Sequence, residues 1–215
     1  MIRLHHCPQT RSMRALWLLH ELGVEFELRE WPFDKSLRGA EFLALNPAGR
    51  VPTLELDGEV IWESGAILEA LCEGFPEAGL GRAPGHPQRN RYLTWLHFAE
   101  TISQHAAALT QQHIMLREDH MRSPIVMQLE AKRIAKCYGA LDGALGDYLL
   151  PRFSAADIAV GQAVYMARHF TALDDYPRVA AWYERITARP GFQASLPGDQ
   201  RLYARDFYPP WDGAA

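Results

Sequence analysis

Cysteine is scarce in this sequence of 215 residues. Cys7, Cys72 and Cys137 are odd in number and scattered, which speaks against a disulfide framework or a structural zinc site and fits a reducing compartment. Long apolar runs are missing too: no stretch reaches the roughly 18 apolar residues of a membrane span. The opening Met1-Ile2-Arg3-Leu4-His5-His6 has no apolar core of signal-peptide length. The expectation is a soluble protein that stays in the cytoplasm. Charge of one sign is also lacking, since 22 Lys and Arg stand against 26 Asp and Glu for a net charge of -4, with no long run of either. Nucleic acid and anionic membrane are therefore poor candidates for the main partner. There is no internal repeat and no low-complexity segment.

What is present is apolar content of 48%, enough for one large domain or two small ones. Ile2 to His6 reads as a brief strand. Arg11 to Leu22 carries Ala15, Leu16, Leu18, Leu19 and Leu22 at the spacing of a helix face, and Gly23 stops it. Glu25 to Trp31 alternates as a second strand, and a less regular helical segment covers about Leu37 to Leu45. Val51 to Leu56, the turn Asp57-Gly58 and Glu59 to Trp62 form a hairpin, followed by a helix with Ala66, Ile67, Leu68, Ala70 and Leu71. The order β-α-β-α-β-β-α implies a parallel pair with a right-handed crossover, extended by antiparallel strands.

Two features of this region read as a binding cradle. Pro52 heads a strand but has no N–H to donate to a ladder, so the main chain of Val51 is left for an extended peptide, and an X-Pro bond is cis at modest cost. Ser64 precedes an apolar stretch where its hydroxyl can cap a helix, and a helix start offers N–H groups to a carboxylate. Either feature alone is compatible with an ordinary hairpin or an ordinary capped helix. Together they suit a small anionic peptide.

From Gly74 to Gln88, "GFPEAGLGRAPGHPQ" reads as a linker, and beyond it the pattern is helical. Helices are expected over Arg89 to about Arg117, Ile125 to Leu145, Ile158 to about His169 and Pro177 to Ala188. Ser154 with Asp157 makes a capping-box variant ahead of the third of these, which is almost wholly apolar and so expected to be buried. His97, His105 and His113 recur too far apart along one helix to share a metal, and fit solvent-edge or cleft-lining positions.

"NPAGRVPTL", "ESGAI" and "FSAADI", in this order and at this spacing, resemble the soluble glutathione S-transferases. The resemblance covers essentially the whole chain. It implies an α/β thioredoxin-like domain (βαβαββα) over 1–73, a linker over 74–88, and an all-helical bundle over 89–215 with a co-substrate pocket and a C-terminal tail. It also implies that Pro52 is cis, that Val51 pairs its main chain with the cysteinyl unit of glutathione, and that Glu63 and Ser64 hold the γ-glutamyl end. Arg50 is placed for the glycyl carboxylate or a neighbouring main-chain group, or is a plain surface arginine. Glutathione is the implied co-substrate, with no metal, and a homodimer is the implied assembly. Apolar residues on the helix around Leu68 to Glu73 and on the helix from Arg89 are the sequence motive for that dimer.

The chemistry such a site needs is ionisation of a thiol with an ordinary pKa near ~8.5. "CPQTRSMRALWLL" stands at the first helix start and offers Cys7, Thr10 and Ser12. The tyrosine of several animal classes is missing, as positions 5 and 6 are His, so the likeness is to Ser/Thr-type bacterial and fungal transferases. Thr10 is the first candidate for the sulfur contact and Ser12 the second. Cys7-Pro8-Gln9-Thr10 resembles a CxxC motif without its second cysteine, which leaves Cys7 as an alternative redox nucleophile of a thiol transferase or dehydroascorbate reductase. A non-catalytic binding protein on the same fold is a further alternative. The aromatic tail, with Tyr203, Phe207, Tyr208 and Trp211, either closes over the site or packs on the helical domain.

Overall fold

The alternating segment Ile2–His6 forms β1, with Leu4 fully buried beneath it. Its chain then turns into α1, Met13–Leu22, which buries Met13, Ala15, Leu16, Trp17, Leu18 and Leu19 and ends at Gly23 in the left-handed region. The computed structural model describes residues 1–198, 202–203 and 205–209. β2 is shorter than its sequence pattern, Glu27–Glu30, and is exposed throughout. Trp31 continues the ladder by one bond, donating its N–H to the His6 carbonyl at 2.8 Å, before its ring turns inward against Phe42. The helix expected over 37–45 is split at Gly39: a 3-10 turn, Lys35–Arg38, precedes α2, Ala40–Leu45.

β3 (Thr53–Leu56) and β4 (Glu59–Trp62) form the hairpin, and both Asp57 and Gly58 have positive φ, as a two-residue primed turn requires. The sheet order is β2-β1-β3-β4, with β1 parallel to β2 and the other pairs antiparallel. α3, Ser64–Gly74, follows directly. The punctuated segment after it is tied down rather than loose. Arg82, almost fully buried, donates to the carbonyls of Gly79 and Gly81 at 2.9 and 2.7 Å and to Gln88 at 3.1 Å.

The helices beyond are α4 (Arg89–Thr110), α5 (Pro124–Ala144), α6 (Ala155–Ala167), α7 (Pro177–Thr187) and α8 (Pro190–Ala194). α4 stops short of its expected end because Gln111–Met115 winds into a π turn. α8 is too short for its periodicity to be read. By contacts the chain forms two units, 1–93 with 186–202, and 94–185 with 203–215. The return of 186–202 to the first unit has a local cause. Arg189 makes two bonds to Glu21, at 2.9 and 2.6 Å, and Phe192 meets Trp17 edge-on at 4.9 Å.

In the second unit α6 is buried nearly all round, and Asp157 is its polar hub. The expected capping box forms: the Asp157 carboxylate accepts from the Ser154 N–H at 3.0 Å, and takes further bonds from the Leu149 N–H at 2.9 Å and the Trp182 indole at 3.0 Å. His113, half-buried, lies between Phe170 and Phe207, ring centroids 5.7 and 5.0 Å away. His105 pairs with Glu130 at 2.6 Å. The described tail residues pack on this unit: Tyr203 stacks on His169 at 4.8 Å and shares a 2.7 Å bond with Thr110. Trp211 lies outside the described residues.

The apolar surplus read on α3 and α4 is absent from the large exposed side chains described. Those include Val60 and Trp62 on β4 and Ile125, Val126 and Leu129 at the start of α5, along with others elsewhere, such as Leu28, Phe33 and Leu43. Ile67, Leu68 and Leu71 on α3 and Tyr92, Leu96, Ile102 and Leu109 on α4 are buried, whereas Leu93, Trp95 and Phe98 on α4 are half-buried.

Candidate functional site

β1 delivers His5 and His6 to opposite faces of the sheet, and each is buried in a different setting. The His5 Nδ1 accepts the Trp31 indole N–H at 3.0 Å, so its Nε2–H donates to Glu55 at 2.9 Å. The His6 Nδ1 lies 2.8 Å from the Ser12 hydroxyl. Burial drives the His6 pKa down to about 4, against the opposing effect of its contact with Ser12, so the ring is neutral at pH 7.

Between His6 and α1 the chain closes a tight turn, in which Gln9 takes a positive φ of 53°. Ser12 occupies the N-cap position of α1, but in helical rather than extended backbone, and its hydroxyl makes no cap. The first helical N–H groups are spent on the turn itself, Met13 on the Thr10 carbonyl and Arg14 on the Arg11 carbonyl, both at 3.1 Å. The Ser12 hydroxyl therefore turns back: it accepts the Cys7 N–H at 3.0 Å and lies 2.8 Å from the Thr10 hydroxyl. Thr10 in turn accepts the Ser12 N–H at 3.2 Å, and its hydroxyl donates to the Cys7 carbonyl at 2.8 Å. Ser12 is fully buried, whereas Thr10 is part-exposed. Of the two residues, only Thr10 is accessible to a solute at all.

Cys7 shares this turn, but its side chain is 1% exposed and its pKa is pushed up to about 11, by burial first and then by Glu30 and Asp34. At neutral pH it is a thiol, the unreactive form.

The second corner is the loop before β3. The Val51–Pro52 peptide is cis. Asn46 shapes the approach by donating to the Arg50 carbonyl at 2.7 Å and to the Thr53 hydroxyl at 3.3 Å while accepting the Ala48 N–H at 3.0 Å. Gly49 has a φ of 60°, and a β-carbon there would stand 2.9 Å from the Leu37 carbonyl oxygen, so no other residue fits. Val51 packs on the Trp31, Leu37 and Phe42 cluster, and Arg50 is exposed.

The third corner is the start of α3. Its cap position is Glu63, held at φ 77° and making no side-chain cap, and Ser64 is the first helical residue rather than the expected cap. The Ser64 hydroxyl accepts from Arg14, whose guanidinium is 1% exposed, at 3.1 Å. A buried cation so placed joins α1 to α3 and adds positive charge to a helix start that already favours an anion. The Glu63 carboxylate is exposed beside it.

Thr10, Ser12 and Cys7 are thus brought into one turn, and Ser64 is tied to α1 through Arg14, while the Arg50 carbonyl accepts from Asn46 in the loop before β3. His6, Arg14 and Asn46 were not singled out from the sequence. Arg14 carried a signal, being a charged residue inside the apolar face of α1. Among the described residues no group of three or more His, Cys, Asp or Glu could hold a metal, and no helix is long and apolar enough to cross a membrane.

A βαβαββα unit with a cis-proline loop and hydroxyls at its first helix start, followed by a helical unit, defines a thioredoxin-like transferase architecture. The glutathione S-transferase N-terminal domain family matches residues 6–73, and the corresponding C-terminal domain family matches 124–185. The maleylacetoacetate isomerase of Pseudomonas aeruginosa is 31% identical, over 89% of this chain and 93% of its own. A glutathione transferase structure from Methylococcus capsulatus is 30% identical with a TM-score of 0.76, covering 91% of this chain and 97% of that one. A sphingomonad glutathione S-transferase complexed with glutathione is 29% identical with the same TM-score of 0.76, covering 90% and 96%. The chain belongs to the glutathione S-transferase family, and it is an enzyme of the glutathione transferase class.

Proposed function

We propose that this enzyme binds glutathione on its first unit, ionises the thiol beside Thr10 and directs the thiolate at small apolar electrophiles. The observation that carries this reading is part-exposed Thr10 at the α1 start, its hydroxyl 2.8 Å from that of buried Ser12. The thiol proton leaves to solvent, Thr10 donates its hydroxyl hydrogen to the sulfur that remains, and the sulfur lone pair forms a bond to an electrophilic carbon. The displaced group departs with its electron pair. With no tyrosine in this turn, the Ser/Thr type is the reading that fits its residues.

In the same proposal the Val51 main chain beside cis Pro52 pairs with the cysteinyl unit, and Arg50 faces the glycyl carboxylate. Ser64 and the α3 start hold the γ-glutamyl carboxylate, with Glu63 toward its amino group. Buried Arg14 supports the carboxylate assignment. Residues 1–73 serve glutathione, 74–88 link, and 89–215 recognise the co-substrate. The cytoplasm and a homodimer complete the reading, the latter supported by exposed Trp62 and Val60 on β4. The thiol transferase alternative loses ground on Cys7, since a buried thiol with a raised pKa is a poor nucleophile.

The test is the ultraviolet absorbance of bound thiolate followed against pH. Thr10→Ala should raise the pKa of bound glutathione by about 1–2 units, the worth of a hydrogen bond to a charged group, and lower kcat at neutral pH with little change in glutathione affinity. Cys7→Ser should leave the titration in place. An unshifted titration in Thr10→Ala rejects Thr10 as the sulfur contact, and loss of turnover confined to Cys7→Ser moves the enzyme to the redox class.

A further inference from the structure

The loop between α2 and β3 hangs on one buried side chain. The Asn46 Oδ1 accepts the Ala48 N–H at 3.0 Å, and its Nδ2 donates to the Arg50 carbonyl at 2.7 Å and to the Thr53 hydroxyl at 3.3 Å. These partners fix which end of the amide is which, because a main-chain carbonyl only accepts and a main-chain N–H only donates. The Asn46 main chain adds to the grip, giving its N–H to the Phe42 carbonyl and taking the Gly49 N–H, both at 2.9 Å.

The consequence falls on Val51. The Arg50 carbonyl and the Val51 N–H belong to one planar trans peptide unit, so they point in opposite directions. With the carbonyl drawn in toward buried Asn46 and Thr53, the Val51 N–H is turned away from them, and among the described residues it has no hydrogen-bond partner. The Val51 side chain, half-buried against Trp31, Leu37 and Phe42, holds the unit from its other end. An open N–H anchored on both flanks is a ready donor for an extended peptide.

We propose that Asn46 is a positioning residue for glutathione, drawing in the Arg50 carbonyl so that the Val51 N–H is held in line for the cysteinyl carbonyl. This deepens the reading in which the Val51 main chain pairs with the cysteinyl unit, and rests on it. A serine at position 46 keeps an acceptor for the Ala48 N–H but is too short to reach Arg50. An aspartate fits the same space and keeps that acceptor, yet sets an oxygen against the Arg50 carbonyl where asparagine has an N–H, and so repels the group that asparagine draws in. Asn46 makes no bond to the turn that holds Thr10, so these changes should weaken holding and spare activation.

The test sets two ligands against three proteins. The ligands are glutathione and its isostere with a trans-alkene in place of the Cys–Gly amide, which lacks the cysteinyl carbonyl. The proteins are the unaltered chain, Asn46→Ser and Asn46→Asp. In calorimetric titration the Kd for glutathione should rise about fivefold in Asn46→Ser, the worth of one neutral hydrogen bond, and further in Asn46→Asp. The isostere should bind the unaltered protein more weakly than glutathione does and bind all three proteins alike, because the bond that Asn46 aims is already gone. The pKa of bound glutathione, read from thiolate absorbance, should stay in place throughout.

Glutathione affinity that is unchanged in both variants, a loss equal for the two ligands, or a thiol pKa that moves with Asn46 overturns the proposal. An isostere that binds the unaltered protein as tightly as glutathione removes the Val51 reading itself, and the proposal falls with it. Hydrogen exchange on the unaltered protein needs no variant to fold. The Asn46 side-chain amide should exchange slowly, and the Val51 N–H should exchange rapidly until glutathione is added. A Val51 N–H protected in the free protein, or an Asn46 amide that exchanges freely, also overturns the proposal.

Discussion

Ser12 and Ser154 each stand at the N-terminal end of a buried helix, and they spend their hydroxyls in opposite ways. Ser154 has extended backbone, φ -152°, the geometry in which a cap side chain reaches its own first turn, and it closes a reciprocal box with Asp157. Ser12 has helical backbone, φ -66°, and the donors it would cap are already taken by the carbonyls of Thr10 and Arg11. Its hydroxyl is released to His6 and Thr10. The helix start that obeys the local rule is scaffold, and the one that departs from it is the candidate site, which is where such departures are expected.

The sharpest way to break the comparison is to remove the hub of the scaffold end. Asp157 is fully buried, and Asp157→Ala leaves the Leu149 and Ser154 N–H groups and the Trp182 indole without their acceptor. Stability should fall by about 3–5 kcal/mol, read from urea unfolding. Molecules that remain folded should keep the bound-thiolate titration unchanged. A titration that moves with Asp157→Ala would mean that the two helix starts are not independent.

The next largest effect is acid sensitivity, because each unit holds a histidine whose pKa is pushed down, His6 buried and His113 half-buried. The pKa values of His6 and His113 are both depressed to about 4, by burial in each case and for His113 also by Arg122 and Arg205. The unfolded chain therefore binds more protons between pH ~6.5 and ~4, and stability falls as pH drops through that window and levels off below it. His6 alone contributes on the order of 3 kcal/mol. Thermal unfolding against pH should show the slope. It should flatten in His6→Asn and again in His113→Asn, and a slope unaltered by both substitutions would put the acid sensitivity elsewhere.

A third test separates holding glutathione from activating it. Ser64→Ala removes a hydroxyl that accepts from buried Arg14, and glutathione affinity should fall about tenfold to a hundredfold, the worth of a charge-assisted bond of roughly 1.5–3 kcal/mol. Calorimetric titration reads it. An unchanged dissociation constant would place the carboxylate away from α3.

Much of this was legible in the residues, and the remainder follows a pattern. The hairpin at Asp57-Gly58, the Pro52 strand head and the Ser154–Asp157 box each depend on neighbours a few positions apart, which is the range at which sequence speaks. Ser64 was misread as a cap because the positive φ of Glu63, which moves the cap back by one residue, leaves no mark in side-chain chemistry. His6, Arg14 and Asn46 act across turns and between elements, on Ser12, Ser64 and the Arg50 carbonyl, and no periodicity reports such contacts. Of the apolar residues read on α3 and α4 as a dimer motive, most are buried and Leu93, Trp95 and Phe98 are half-buried, a division that the spacing alone does not report.

The smallest expected effect is the most direct test of the comparison, because it makes the same substitution at both helix starts. Ser154→Ala loses the cap hydroxyl and its 3.1 Å bond to Asp157, while the main-chain and indole donors to that carboxylate remain. The cost should be about 1 kcal/mol in urea unfolding, with the bound-glutathione pKa in place. Ser12→Ala also removes a buried hydroxyl, and leaves the Cys7 N–H without its acceptor, so its cost in stability should be similar, about 1–2 kcal/mol. The two variants should part on the titration. Ser12→Ala removes the 2.8 Å hydroxyl contact to Thr10, and the thiol pKa should rise, by less than in Thr10→Ala because the sulfur contact itself survives. Equal titrations in the two variants would make Ser12 another scaffold serine, with Thr10 acting unaided.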